Sequence, residues 1–309
     1  MSDESDLMKG VRGWLNKQGY PLEMRVAEAF RTRGFSVARS TYFLHADDPP
    51  REIDAIAVGT IDDERFTSRP PGVEPSSIPV SERLVAGADI MALIECKSAP
   101  PTPAHPWIVF TQDFAESRSR TLFPMTDLAQ RSILAIDAVN PAALFPMLRE
   151  GSTRGVAVVE AALGGGKDTG KERKADGFNI AHAAVTKVAT ASRSMIKDVH
   201  ELSGRLFRVI VPVVVTTCPL VECWLDNGAM RIEERGEMLV RSSRPRKAAR
   251  PEITLVHVVR EDRLPAFIDS VEATLRTVRE NMDVVVATAP RPNATTLKSD
   301  RLATGRSPK

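Results

Sequence analysis

The sequence has little that would tie the chain to a membrane, a secretory route or a cysteine-bound metal. Its strongest apolar run, residues 209–215, is far too short to span a bilayer. The first six residues are acidic and polar with no apolar stretch behind them, so no secretory signal is expected there. Only three cysteines occur, Cys96, Cys218 and Cys223. Their odd number and lack of paired ligand spacing predict reduced thiols in a cytoplasmic protein. The histidines, at positions 45, 105, 182, 200 and 257, are too scattered for a zinc cluster. Net charge is only +2, so any electrostatic footprint for a polyanion must be local. No internal repeat is present.

What is there begins with enough apolar material for a real core, 42% of 309 residues, in one large domain or two modest ones. Within it, Leu93-Ile94-Glu95-Cys96-Lys97 ends an apolar run with an acid and a lysine two residues apart. Strand side chains alternate, so Glu95 and Lys97 share one face and Cys96 takes the other. Ending a buried strand on two charges costs free energy unless they meet a partner, a metal or a solvated cleft. Asp54 lies in an earlier strand-like run, apolar just beyond the carboxylate. Two carboxylates and a lysine on two strands make a candidate site.

Apolar spacing predicts a helix over residues 7–17 and a second from about Pro21 to Gly34, with Leu22, Val26, Ala29 and Phe30 as its stripe. Glu23 borders that stripe, whereas Glu28 falls about 140° further round, so Glu23 is the acid expected to look inward. Strands are expected over residues 35–44, around Asp54 to Gly59, and at Glu95, the last two joined as an antiparallel pair by a long loop over 61–88. The middle of the chain, about 100–178, reads as an insertion. It holds a short strand at 107–111, helices at 127–138 and 141–148, a strand or buried helix at 155–163, and a flexible Gly-rich segment at 164–177. A long helix over 180–199 precedes strands at 207–217 and 220–225. Residues 226–289 read as a C-terminal αβ extension packed on the 1–225 core. It comprises a short strand at 238–240, a basic linker at 241–250, a strand at 253–259, a helix at 264–280 and a last strand at 284–288. A disordered basic tail over 290–309 is expected to follow.

The order of elements resembles the PD-(D/E)xK, or restriction-endonuclease-like, superfamily, in which an α-β-β-β-α-β core carries an Asp, then an acid-x-Lys motif. Asp54 takes the place of the first acid and Glu95-Cys96-Lys97 that of the second motif. Glu23 matches the glutamate that the first helix often supplies. Ile53 stands where the superfamily's name has Pro, a departure many members share. Pro21-Leu22-Glu23, and Pro106-Trp107 beyond the motif, are similar to a bacterial branch. The resemblance implies an α/β fold whose mixed central sheet is flanked by helices, and a metal-dependent nuclease acting on DNA.

Its expected cofactor is Mg²⁺, with Mn²⁺ able to substitute. Asp54, Glu95 and the Cys96 backbone carbonyl would be the metal ligands, all hard oxygen donors. Lys97 would hold the attacking water and steady charge, and Glu23 would orient a water or serve a second metal. A catalytically silent module binding nucleic acid or a protein through the same fold is the alternative.

Two basic segments are candidates for phosphate contact: residues 167–174, and the group Arg241, Arg244, Arg246, Lys247 and Arg250. Residues 165–171 also read G-x-x-x-x-G-K, but Glu172 stands where a phosphate-binding loop needs Ser or Thr, so nucleotide binding is not expected. A homodimer is one arrangement the sequence leaves open.

Overall fold

The computed structural model of the chain describes residues 5–45, 48–61, 87–98, 106–111, 123–139, 154–160, 177–198, 206–246 and 249–289. These form an α/β fold in which a mixed ten-stranded sheet is flanked by helices. Helices α1 (Asp6–Gln18) and α2 (Tyr20–Arg31) precede an antiparallel meander of β1 (Ser36–His45), β2 (Asp48–Thr60) and β3 (Gly87–Lys97). Next come β4 (Trp107–Thr111), α3 (Asp127–Val139), β5 (Arg154–Glu160) and α4 (Gly177–Asp198). Strand β6 (Leu206–Thr216) then runs parallel to β3. The remainder is β7 (Leu220–Asp226), β8 (Ala229–Arg235), β9 (Glu237–Arg246), β10 (Ala249–Arg260), α5 (Leu264–Glu280) and α6 (Met282–Thr288). Across the sheet the order is β1-β2-β3-β6-β10-β9-β5-β4-β7-β8, so strands from residues 100–178 and from 226–289 share one sheet with β1–β3.

The centre of the sheet follows from hydrophobicity. Strand β6 reads Val-Ile-Val-Pro-Val-Val-Val and is buried on both faces, as a parallel strand covered by helices must be. On one side of it Val26, Phe30, Leu128, Phe267 and Val271 bring α2, α3 and α5 onto one core. On the other, Ala181, Ala184, Val185 and Val188 bring α4 onto a second. Two helical layers therefore sandwich the sheet.

Helix α2, which carries Glu23, is fixed at both ends. Pro21 suits a first turn. Gly34, at φ 81°, turns the chain out of the helix. Its N–H reaches the Arg31 carbonyl at 2.9 Å and the Phe35 N–H reaches the Phe30 carbonyl at 3.2 Å. The Phe30 and Phe35 rings meet edge to face, supplying the apolar contact that accompanies such a helix end.

Several expectations are corrected. Residues 284–288 are not a strand: α6 covers them, with Met282 and Val285 buried at helical spacing and the Thr288 hydroxyl donating to the Val284 carbonyl at 3.0 Å. Valine's β preference yields there to packing against the other helices. The basic linker is instead the end of a hairpin, since β9 runs through Arg241, Arg244 and Arg246, and β10 includes Arg250. Charged residues on an antiparallel strand disguised it as a loop. Strand β8 was not expected at all. Residues 141–148, 164–176, Lys247 and 290–309 lie outside the described residues, as does most of the expected 61–88 loop.

Candidate functional site

The site forms beneath α4, where β3 ends beside the middle of β2. Their register pairs Ala55 with Ile94, and one step on, Asp54 stands opposite Glu95. Like charges directly across a strand pair destabilise it unless a cation intervenes. Here two cations do. Lys97 Nζ lies 2.7 Å from Glu95 Oε1, and Lys187 Nζ, on α4, lies 2.6 Å from Glu95 Oε2 and 4.0 Å from Asp54 Oδ1. Lys187 sits off the direction a hydrogen bond needs, so the buried Oε2 accepts none although its charge is paired.

Burial sharpens these interactions. The Glu95 side chain is 1% exposed and that of Asp54 15%. Asp54 Oδ2 accepts the Cys96 N–H at 2.7 Å, which ties the first carboxylate to the motif strand's backbone. Desolvation, followed by repulsion from Glu95, raises the Asp54 carboxyl above the ordinary aspartate range, against the pull of Cys96 N–H, Lys97 and Lys187. For Lys97, burial favours the neutral amine, but the ion pair and hydrogen bond with Glu95 outweigh it, and the ammonium is held more firmly than usual.

Cys96 turns to the other face, into the core with Leu22 and Val26, where burial pushes its thiol well above the ordinary range. That suits a packed side chain and not a nucleophile.

Glu23 stands at the margin. It is half-buried on α2, while Glu28 is exposed and pairs with Arg31. Burial first, and then Asp54, raise the Glu23 carboxyl. Yet α2 packs on the sheet face opposite α4. Among the described residues no three His, Cys, Asp or Glu side chains are gathered tightly enough to hold a metal ion. The structure thus brings Asp54, Glu95 and Lys97 together and leaves Glu23 outside their immediate contact. Lys187 was missed from the sequence, although it is the one Lys, Arg, Asp or Glu between Gly177 and Ser192. A lone charge on an otherwise uncharged helical stretch was the available signal.

The donor set suits a hard divalent cation. Asp54 and Glu95 offer carboxylate oxygens from neighbouring strands, and the contact a cation would replace at the buried Oε2 is the Lys187 ammonium at 2.6 Å. The Lys187 ammonium meanwhile supplies positive charge between them. Comparison with family models, curated proteins and solved structures gave no match. Among the described residues no helix is long and apolar enough to cross a membrane.

Proposed function

We propose that the chain is a metal-dependent nuclease of the PD-(D/E)xK type, hydrolysing phosphodiester bonds in DNA. The observation that carries this reading is the pair of neighbouring acids, half-buried Asp54 and fully buried Glu95, with Lys97 beside them at the end of β3. The element order α2-β1-β2-β3-α4-β6, with β6 parallel to β3, supports the same reading. A structural ion pair gains little from a second acid placed across from the first.

Asp54 and Glu95 would hold Mg²⁺ or Mn²⁺, with the Cys96 carbonyl as a further oxygen ligand. The ion would supply Lewis-acid stabilisation of charge on the phosphoryl oxygens. Lys97, kept protonated by Glu95, donates to the attacking water and steadies negative charge as the P–O bond breaks. Burial of Glu95 excludes bulk water on the side away from substrate, which strengthens each of these interactions. Glu23, at the open margin, would orient water from the other layer.

The test is Mg²⁺- or Mn²⁺-dependent cleavage of plasmid and linear DNA by the wild type and by Lys97→Ala. Cleavage by the wild type and its loss in the variant support the reading. Equal cleavage by both would sink the assignment of Lys97. One observation favours a second reading, a silent binding module: two lysines already neutralise the two facing acids without a metal. A Mn²⁺ titration that depends on both Asp54 and Glu95 favours the enzyme, and no binding favours the module.

A further inference from the structure

Helix α1 carries an apolar stripe that the fold does not bury. Leu7, Val11 and Trp14 recur at i, i+4 and i+7, the spacing by which a surface helix ordinarily packs on a core. Yet Leu7 is 75%, Val11 44% and Trp14 54% exposed, and of the helix's apolar side chains only Leu15 is half-buried. We propose that Trp14, with Tyr20 beside it, is a stacking platform for the bases of single-stranded DNA entering the site at Lys97. Cutting at Lys97 belongs to the nuclease reading, on which this inference rests; the class of DNA taken goes beyond it.

The turn between the two helices sets the platform beside the site. Gly19 takes φ 83°, a left-handed conformation that costs glycine little, and its carbonyl accepts the Leu22 N–H at 3.0 Å as α2 begins. Across this turn Trp14 meets Tyr20, with ring centroids 5.8 Å apart and planes at 35°. The pairing orients both rings while Tyr20 stays 41% exposed. The turn also meets the motif strand: a Cβ on Gly19 would lie 3.7 Å from Ser98 Oγ, and Ser98 follows Lys97. Glu23 lies one turn beyond Tyr20 on α2. The aromatic pair and the candidate catalytic lysine therefore border the same end of β3.

Charge points to an anionic ligand. Residues 7–22 contain Lys9, Arg12 and Lys17 and no Asp or Glu, in a chain whose net charge is only +2. Lys9 has Asp6 as an exposed partner at 3.5 Å, a pair weak enough to yield to a phosphate. Asp54, Glu95 and Glu23 make the site itself acidic, so a polyanion needs cations at its rim to approach. Cations interleaved with exposed aromatics fit a nucleic-acid strand, whose phosphates take the first and whose bases stack on the second. Duplex bases cover one another's faces, so the platform selects unpaired DNA. A basic amphipathic helix also suits an anionic lipid surface, but the position beside Lys97 favours the substrate.

The experiment is equilibrium binding of the full chain to a fluorescein-labelled oligo-dT, and to the duplex of the same length, in EDTA so that nothing is cut. The single strand is expected to bind more tightly than the duplex. Trp14→Ala and Tyr20→Ala are each expected to weaken single-strand binding about tenfold, the scale of losing one stacked base. Trp14→Phe, which keeps a ring, should retain most of it, and duplex binding should not change. Thermal melts should stay close to wild type, since neither ring belongs to a core. Single-strand affinity indifferent to both alanine variants, or no stronger than duplex affinity, overturns the proposal. So does Trp14-dependent capture by phosphatidylglycerol vesicles without single-strand binding. The two readings fail separately. Ring-dependent binding by a chain that cuts no DNA with Mg²⁺ or Mn²⁺ removes the nuclease and leaves the platform, whereas Lys97-dependent cleavage with binding indifferent to the rings removes the platform alone.

Discussion

Strand β3 carries a buried acid near each end, and the two are held in different ways. Asp89 faces Arg208 across the β3–β6 register, and the guanidinium closes on both carboxylate oxygens at 2.7 Å. The Arg208 N–H is anchored in turn to the Thr126 hydroxyl at 3.1 Å. Glu95, on the same strand face, stands opposite Val214 on β6 and a like charge, Asp54, on β2. Its cations are two lysines, point charges on flexible stems, and one of its oxygens accepts no hydrogen bond. A rigid fork that satisfies its acid is architecture. An acid set against another acid and steadied by movable charges is prepared for a further partner.

The largest expected effect breaks the architectural end. Arg208→Ala would leave Asp89 as a buried charge without its partner, and should cost about 3–5 kcal/mol of stability, read by denaturant unfolding at neutral pH. Replacing both residues by apolar ones of similar volume should cost much less. At the other end the loss should appear in rate instead. Lys97→Ala should lower metal-dependent DNA cleavage by about 100-fold, the scale of removing one group that stabilises transition-state charge. Its unfolding midpoint should move far less than that of Arg208→Ala, because Lys187 still pairs with Glu95. A stability loss as large as that of Arg208→Ala would make Lys97 a structural partner.

The contrast was half visible in the sequence. Glu95-Cys96-Lys97 was legible because alternation fixes which side chains share a strand face. Asp54 was legible because its strand is apolar just beyond the acid. The long helix α4 and the buried strand β6 were legible from periodicity and β-branching. Lys187 was not, since its neighbour is Glu95, far away in sequence, and helical spacing alone does not say which face meets a sheet. Strand β8 was hidden by its own composition: Ala-Met-Arg-Ile-Glu-Glu-Arg has weak strand preference and takes its conformation from β7. The Asn227-Gly228 pair between two runs was the signal that could have found it. Residues 284–288 failed the other way, with strand-like valines drawn into α6 by packing.

Lys187 sharpens the comparison further, since it supplies charge where a divalent ion would be held. Lys187→Met removes an ammonium 2.6 Å from Glu95 and should tighten Mn²⁺ binding by about tenfold, close to 1.4 kcal/mol, in a calorimetric titration. Binding that weakens instead would mean that the ammonium organises the carboxylates. Arg208 should show no such effect, since it lies at the far end of β3.

The smallest effect concerns Asp54 and has an unusual sign. Its carboxyl is raised by desolvation and by Glu95, so the folded state favours the protonated form. Stability from that preference is fully present below the ordinary aspartate range and is lost as pH rises through the raised folded value. At neutral pH ionised Asp54 therefore weighs against folding. Asp54→Asn keeps an acceptor for the Cys96 N–H and removes the charge facing Glu95. It should raise stability at neutral pH by about 1 kcal/mol, the usual yield of relieving a functional site, while abolishing metal-dependent cleavage. The gain should shrink as pH is lowered through the raised range in which folded Asp54 takes up its proton, and should be gone below the ordinary aspartate range. Thermal melts of both proteins across that range measure it, and a constant difference at all pH values would mean that Cys96 N–H and the two lysines already offset the burial of this acid.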